Sequence, residues 1–78
     1  MTTIQTNTIY TKERKHIDVL GKLELSNTST PLCFNAYSIH KKKYILIPVS
    51  NIVYIEPSTK MINQLDHLKY YTISSDFN

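Results

Sequence analysis

Three features of this sequence predict a mainly β fold, a small five- to six-stranded antiparallel barrel or strongly curved sheet with one short C-terminal helix. Apolar and polar residues alternate with period two over residues 17–25, turn-forming residues recur about every 10 residues, and helical spacing is confined to residues 60–69. Seventy-eight residues make one small β-rich domain, 1–78, with room for a single core.

The elements follow in order. Residues 2–10, Thr-Thr-Ile-Gln-Thr-Asn-Thr-Ile-Tyr, are rich in β-branched side chains and predict a strand, placed at the edge of the sheet. Ile17, Val19, Gly21, Leu23 and Leu25 then share one face, with Asp18, Lys22 and Glu24 on the other and Leu20 as the exception. That is a half-buried strand, and Gly21 inside it predicts a bulge or bend. Residues 26–31, Ser-Asn-Thr-Ser-Thr-Pro, reverse the chain. Residues 32–39 are apolar without a clean period, as in a central strand covered on both faces or one carrying a bulge. His40, Lys41, Lys42 and Lys43 form a hairpin connector. Residues 44–47 and 52–55 are two β-prone runs broken at Pro48, and Pro57 with Ser58 is expected to close the sheet. Met61, Ile62, Leu65 and Leu68 predict a helix over 60–69 with Ser58 or Thr59 as N-cap. Tyr70 to Ser74 reads as strand, with a frayed end after it.

Composition excludes much. The longest apolar run, residues 44–49, contains Pro48 and is six residues long, against the roughly 20 that a membrane span requires. No basic and apolar leader opens the chain, so a cytoplasmic, non-membrane protein is expected. Abundant Ile, Lys, Thr, Asn and Tyr beside one Gly and no Trp is the usage of AT-rich codons, as in a bacterium, a phage or an organelle.

No chemistry-bearing constellation stands out. Cys33, the only cysteine, cannot form an intrachain disulfide, and no signature of a nucleophile surrounds it, so an inert buried thiol is expected rather than catalysis with His40 or His16. His16, His40 and His67 lack ligand spacing, which leaves no metal site. The six acids are scattered and one glycine cannot build a phosphate loop, so neither an enzyme nor a cofactor is expected.

Charge is the informative property. Up-and-down connections bring the loop after the first strand and the connector at 40–43 to one end, where Lys12, Arg14, Lys15, Lys41, Lys42 and Lys43 stand against Glu13 alone. The remaining chain has three cations against five carboxylates, so the overall charge of +3 conceals a dipole. Tyr10, Tyr37 and Tyr44 flank these loops, and lysines with aromatic faces are what single-stranded nucleic acid uses. Two functions are therefore weighed. One is a non-enzymatic module that binds RNA or single-stranded DNA through the basic end. The other is a protein-interaction module, such as a phage-type inhibitor or accessory subunit, that adds a strand to a partner sheet or presents Tyr54, Tyr70 and Tyr71, the lysines then serving as solubilising loop tips. Unprotected edges at residues 2–10 also predict a homo-oligomer through strand pairing.

Two stretches resemble known families. Gly21-Lys22-Leu23-Glu24-Leu25 followed by Phe34-Asn35-Ala36-Tyr37-Ser38-Ile39 is similar to the first Sm motif, and residues 45–55 to the second, covering about 17–57. That resemblance implies a five-stranded Sm-like barrel that forms rings and binds RNA, with Asn35 at the base-contacting position. Pro48-Val49-Ser50-Asn51 stands where that family carries a basic residue and glycine. Residues 47–56 also resemble the start of LytTR DNA-binding domains.

Overall fold

The computed structural model describes residues 1–21, 23–26 and 32–75. Strands β1 (Thr2–Thr11), β2 (His16–Leu20), β3 (Glu24–Ser26), β4 (Cys33–Ser38), β5 (Lys43–Pro48) and β6 (Ile52–Ile62) form one antiparallel sheet, followed by helix α1 (Gln64–Ser75). The strands together hold more than three times as many residues as the helix. β4 has β2 and β3 along one edge and β5 along the other, while β1 lies between β2 and β6. Among the described residues β3, β5 and β6 each pair with one strand only, so the sheet is curved and open rather than a closed barrel.

β2 and β3 are two limbs of the strand foreseen around Gly21. The bend forms there because Gly21 passes close to β1: a Cβ on it would meet the Gln5 carbonyl oxygen at 3.0 Å. Asn7 Nδ2 donates to the Gly21 carbonyl and fixes that approach. The turn expected at 26–31 falls, after Ser26, outside the described residues, as does Lys22, and as does the tail after Ser75.

Two apolar clusters hold the sheet from opposite faces. Inside the curve, Ile9, Val19, Ala36 and Ile47 are buried, with Ile17, Leu23, Ile45, Ile52 and Ile55 packed around them. On the outer face, Leu20, Tyr37 and Ile39 are buried against Ile4 and against Tyr70 and Ile73 of α1. Val19 and Leu20 are neighbours in sequence, yet each is buried, one under each face. Leu20 is thus the break in the period-two pattern because α1 covers the outer face beside it. Ala36 and Tyr37 do the same on β4, the strand covered on both faces. The register of β1 and β6 shifts between Tyr10 and Thr11, leaving Val53 as the extra residue. That bulge turns both Ile52 and Ile55 inward, which plain alternation forbids.

Four expectations are corrected. β1 is not an edge strand over Thr6–Tyr10, where β2 and β6 pair with its two sides, whereas Thr2–Gln5 pair with β6 alone. Pro57 does not end the sheet. It pairs opposite Asn7 within β6, an outer strand with one neighbour, where a residue without an N–H is tolerated. Residues 60–62 are strand, because pairing with Thr2, Thr3 and Ile4 extends the ladder to Ile62. The helix begins later, capped by Asn63, whose Oδ1 accepts from the Asp66 amide at 2.8 Å. Consequently Tyr70 to Ser74 is helical, and Tyr70 and Ile73 face the sheet, whereas Leu65 and Leu68 are exposed.

Candidate functional site

Both basic hairpins turn through a strained residue. In the β1–β2 loop the Arg14 amide donates to the Thr11 carbonyl at 3.1 Å and the Thr11 amide to the Lys15 carbonyl at 2.9 Å. This three-residue turn ends with Arg14 at φ 62°, a left-handed position that glycine normally fills. In the β4–β5 loop the Lys42 amide donates to the Ser38 carbonyl at 2.8 Å, and the Lys41 amide to Ser38 Oγ at 3.2 Å. Lys42 has φ 57°. These two are the non-glycine residues with positive φ among the described residues, and both carry a cation.

The two loops line one cleft of about 600 Å³, with Glu13, Lys15 and His16 on one wall, His40 and Lys41 on the other, and Asn51 at the side. The Ile39 amide, at the start of the second loop, donates to the Asp18 carbonyl at 3.0 Å and ties the hairpins together. A 3-10 turn, Val49–Asn51, brings the chain back beside the end of β1. There the Lys12 amide donates to the Asn51 carbonyl, and Asn51 Nδ2 donates to Glu13 Oε2, each at 3.0 Å. The hydrogen bond from Asn51, then one from Thr11, holds the Glu13 carboxyl below the usual glutamate range.

Within the cleft Lys15 and Lys41 are balanced by Glu13 and Asp18, so its floor is close to neutral. Lys12, Arg14, Lys42 and Lys43 are exposed residues of the same two loops outside the lining. The site is a cationic rim around a mixed polar cleft. Its lysines and arginine sit at turns, where long side chains sweep outward and anions can approach from solvent.

The aromatic residues divide differently from the expectation. Tyr37 is a core residue, 5 % exposed, since α1 covers the outer face of β4; its ring meets Tyr44 edge-on at 5.3 Å and Tyr70 at 6.3 Å. It offers no face to a ligand. Tyr44 is partly exposed and donates through its hydroxyl to the Ile73 carbonyl at 3.2 Å, which pins the end of α1. Asn35 is half-buried toward the far end of β4, opposite Glu24 and Leu46, and does not line the cleft. No family model, curated protein or solved structure matches this chain.

Tyr10 and Tyr54 were separable in the sequence but not joinable. They face each other across β1 and β6 and stack at 4.4 Å with rings 17° apart. His16, opposite Tyr10 on β2, lies 6.2 Å away at 43°. Tyr10 and His16 are the stem of the first basic loop, so the three rings lie directly beneath it. The Tyr10 hydroxyl donates to Glu56 Oε2 at 3.4 Å; partial burial, then Tyr54 and Glu56, push its pKa up. The signal for this ledge was strand register, which Val53 alters by one residue. Among the described residues no group of His, Cys, Asp or Glu is arranged to hold a metal, and Cys33 is buried. No helix there is long and apolar enough to cross a membrane.

Proposed function

We propose that this chain is a non-enzymatic binding module for RNA or single-stranded DNA, acting through the basic rim formed by the β1–β2 and β4–β5 loops. The observation that carries this reading is the meeting of Lys12, Arg14 and Lys15 with Lys41, Lys42 and Lys43 around one cleft, with a cation at the strained position of each turn. Glycine or asparagine would serve the turns better, so an arginine and a lysine at these strained positions point to a use for the charge. Their fields overlap within a Debye length of about 8–10 Å, and phosphates are the polyanion that such a rim suits. Aromatic rings beneath the first loop add base-stacking surface. Asn35 stands away from the cleft and is not assigned a base contact.

The test changes Lys41, Lys42 and Lys43 together to Ser and measures binding to a short single-stranded oligonucleotide across salt concentrations. Affinity is expected to fall tenfold or more, and the slope of log affinity against log salt to drop by about 0.7 per lost phosphate contact. Wild-type protein that binds no oligonucleotide at low salt, or a triple variant with an unchanged slope, overturns the reading. The protein-interaction alternative then takes its place, with the exposed Leu65, Leu68 and Tyr71 of α1 as the surface that favours it.

A further inference from the structure

Strand register sorts the uncovered outer face of β2, β1 and β6 into rows. His16, Tyr10 and Tyr54 form the row nearest the β1–β2 loop, and Asp18, Thr8 and Glu56 form the next, about 7 Å further along the strands. Leu20, Thr6 and Ser58 follow, where Leu20 passes under α1. A cationic loop, an aromatic row and an acidic row therefore succeed one another over a short distance.

The order of those rows restricts what can lie on them. Phosphates belong at Lys12, Arg14 and Lys15, because Asp18 and Glu56 repel an anionic backbone from the sheet beyond the rings. A flat, uncharged group with hydrogen-bond donors on its edge suits the rest. Tyr54 is 52 % exposed, and Tyr10 behind it makes the pair a two-ring slab with one open side. Thr8 Oγ1 donates to Asp18 Oδ1 at 2.8 Å, which holds that carboxylate on the β2 side of the face, while Glu56 is the carboxylate on the same strand as Tyr54.

We infer that one unpaired base of a single-stranded nucleic acid stacks on Tyr54 and turns an exocyclic amino group toward the carboxylate of Glu56, two residues along the same strand. Adenine, cytosine and guanine carry such a donor, whereas uracil and thymine present carbonyls there, so the site selects amino-bearing bases. A cross-strand tyrosine pair also strengthens a sheet, but that role requires neither an open ring face nor a neighbouring basic loop. The inference rests on the nucleic-acid reading above and assigns its base subsite.

The experiment measures binding of short oligo-rC, oligo-rU, oligo-dC and oligo-dT to wild-type protein and to the Tyr54→Phe, Tyr54→Leu and Glu56→Gln variants, with melting curves for each. Wild type is expected to favour cytosine over uracil or thymine by about fivefold or more, the size of one good polar contact to a base. Tyr54→Phe should bind as wild type does, and Tyr54→Leu should bind about tenfold more weakly at an unchanged salt slope. Glu56→Gln should shrink the preference for cytosine. Equal affinity for cytosine and uracil, or a Tyr54→Leu variant that melts and binds like wild type, overturns the subsite while salt-dependent binding keeps the basic-rim reading intact. Absence of binding by every oligonucleotide overturns both.

Discussion

Asn51 holds Glu13 across 38 residues of sequence, its Nδ2 donating to Glu13 Oε2 at 3.0 Å while its own carbonyl accepts the neighbouring Lys12 amide. The pair fastens the first basic loop to the turn between β5 and β6. A hydrogen bond to the ionised carboxylate favours that form, so Glu13 protonates below the usual glutamate range. Any stability it contributes is present above that range and lost as pH falls through its lowered pKa. In Asn51→Ala, an NMR titration should show the Glu13 carboxyl moving upward, and oligonucleotide affinity should fall about threefold as the loop loosens. A Glu13 titration identical in both proteins would remove this clamp from the account.

Arg14 and Lys42 give a second expectation, because stability and binding should respond in opposite senses. Replacing either with glycine relieves a left-handed backbone conformation and should stabilise the fold by about 0.5–1 kcal/mol. For a domain of this size that raises the thermal midpoint by roughly 3–6 °C. The same changes remove a cation from the rim and should weaken oligonucleotide binding. Thermal melts and binding isotherms on the two single variants check both halves, and a variant that gains neither stability nor loses affinity contradicts the strain argument.

Leucines of equal size should separate by location. Leu20 is 2 % exposed beneath α1 and Leu68 is 62 % exposed on the far side of that helix. Leu20→Ala is expected to cost about 2–5 kcal/mol and Leu68→Ala to stay within about 0.5 kcal/mol. Urea unfolding of the two proteins measures the difference directly. Similar losses would mean that α1 does not dock on the outer face.

Alkaline titration offers a fourth check. Burial, then Tyr37 and Asp66, raise the pKa of Tyr70, and partial burial, Tyr54 and Glu56 raise that of Tyr10. A phenol whose pKa is higher in the folded state stabilises the fold fully below its unfolded pKa of about 10. That contribution fades as pH climbs through the folded value. Ultraviolet difference titration should therefore show Tyr10 and Tyr70 ionising late, with Tyr70→Phe and Tyr10→Phe each removing one late step. A titration curve left unchanged by both Tyr70→Phe and Tyr10→Phe at its alkaline end would contradict this packing.

What was legible in the chain was local and periodic. Ile17, Val19, Leu23 and Leu25 announce one face of a strand, Gly21 its bend, and His40 to Lys43 a hairpin connector, because each signal lies within a few residues and reflects backbone sterics or alternation. The grouping of the two basic loops followed from connectivity alone. Tertiary structure decided the rest. Leu20 and Tyr37 broke the pattern until α1 covered a second face, and residues 60–62 became strand only because residues 2–4 lay ready to pair with them. Tyr10 and Tyr54 met through long-range register and a one-residue bulge at Val53, and Asn51 found Glu13 through the return of the chain from β5. Such contacts depend on which strand is neighbour to which, a choice made by burial summed over the whole domain, and no window of local sequence contains that sum.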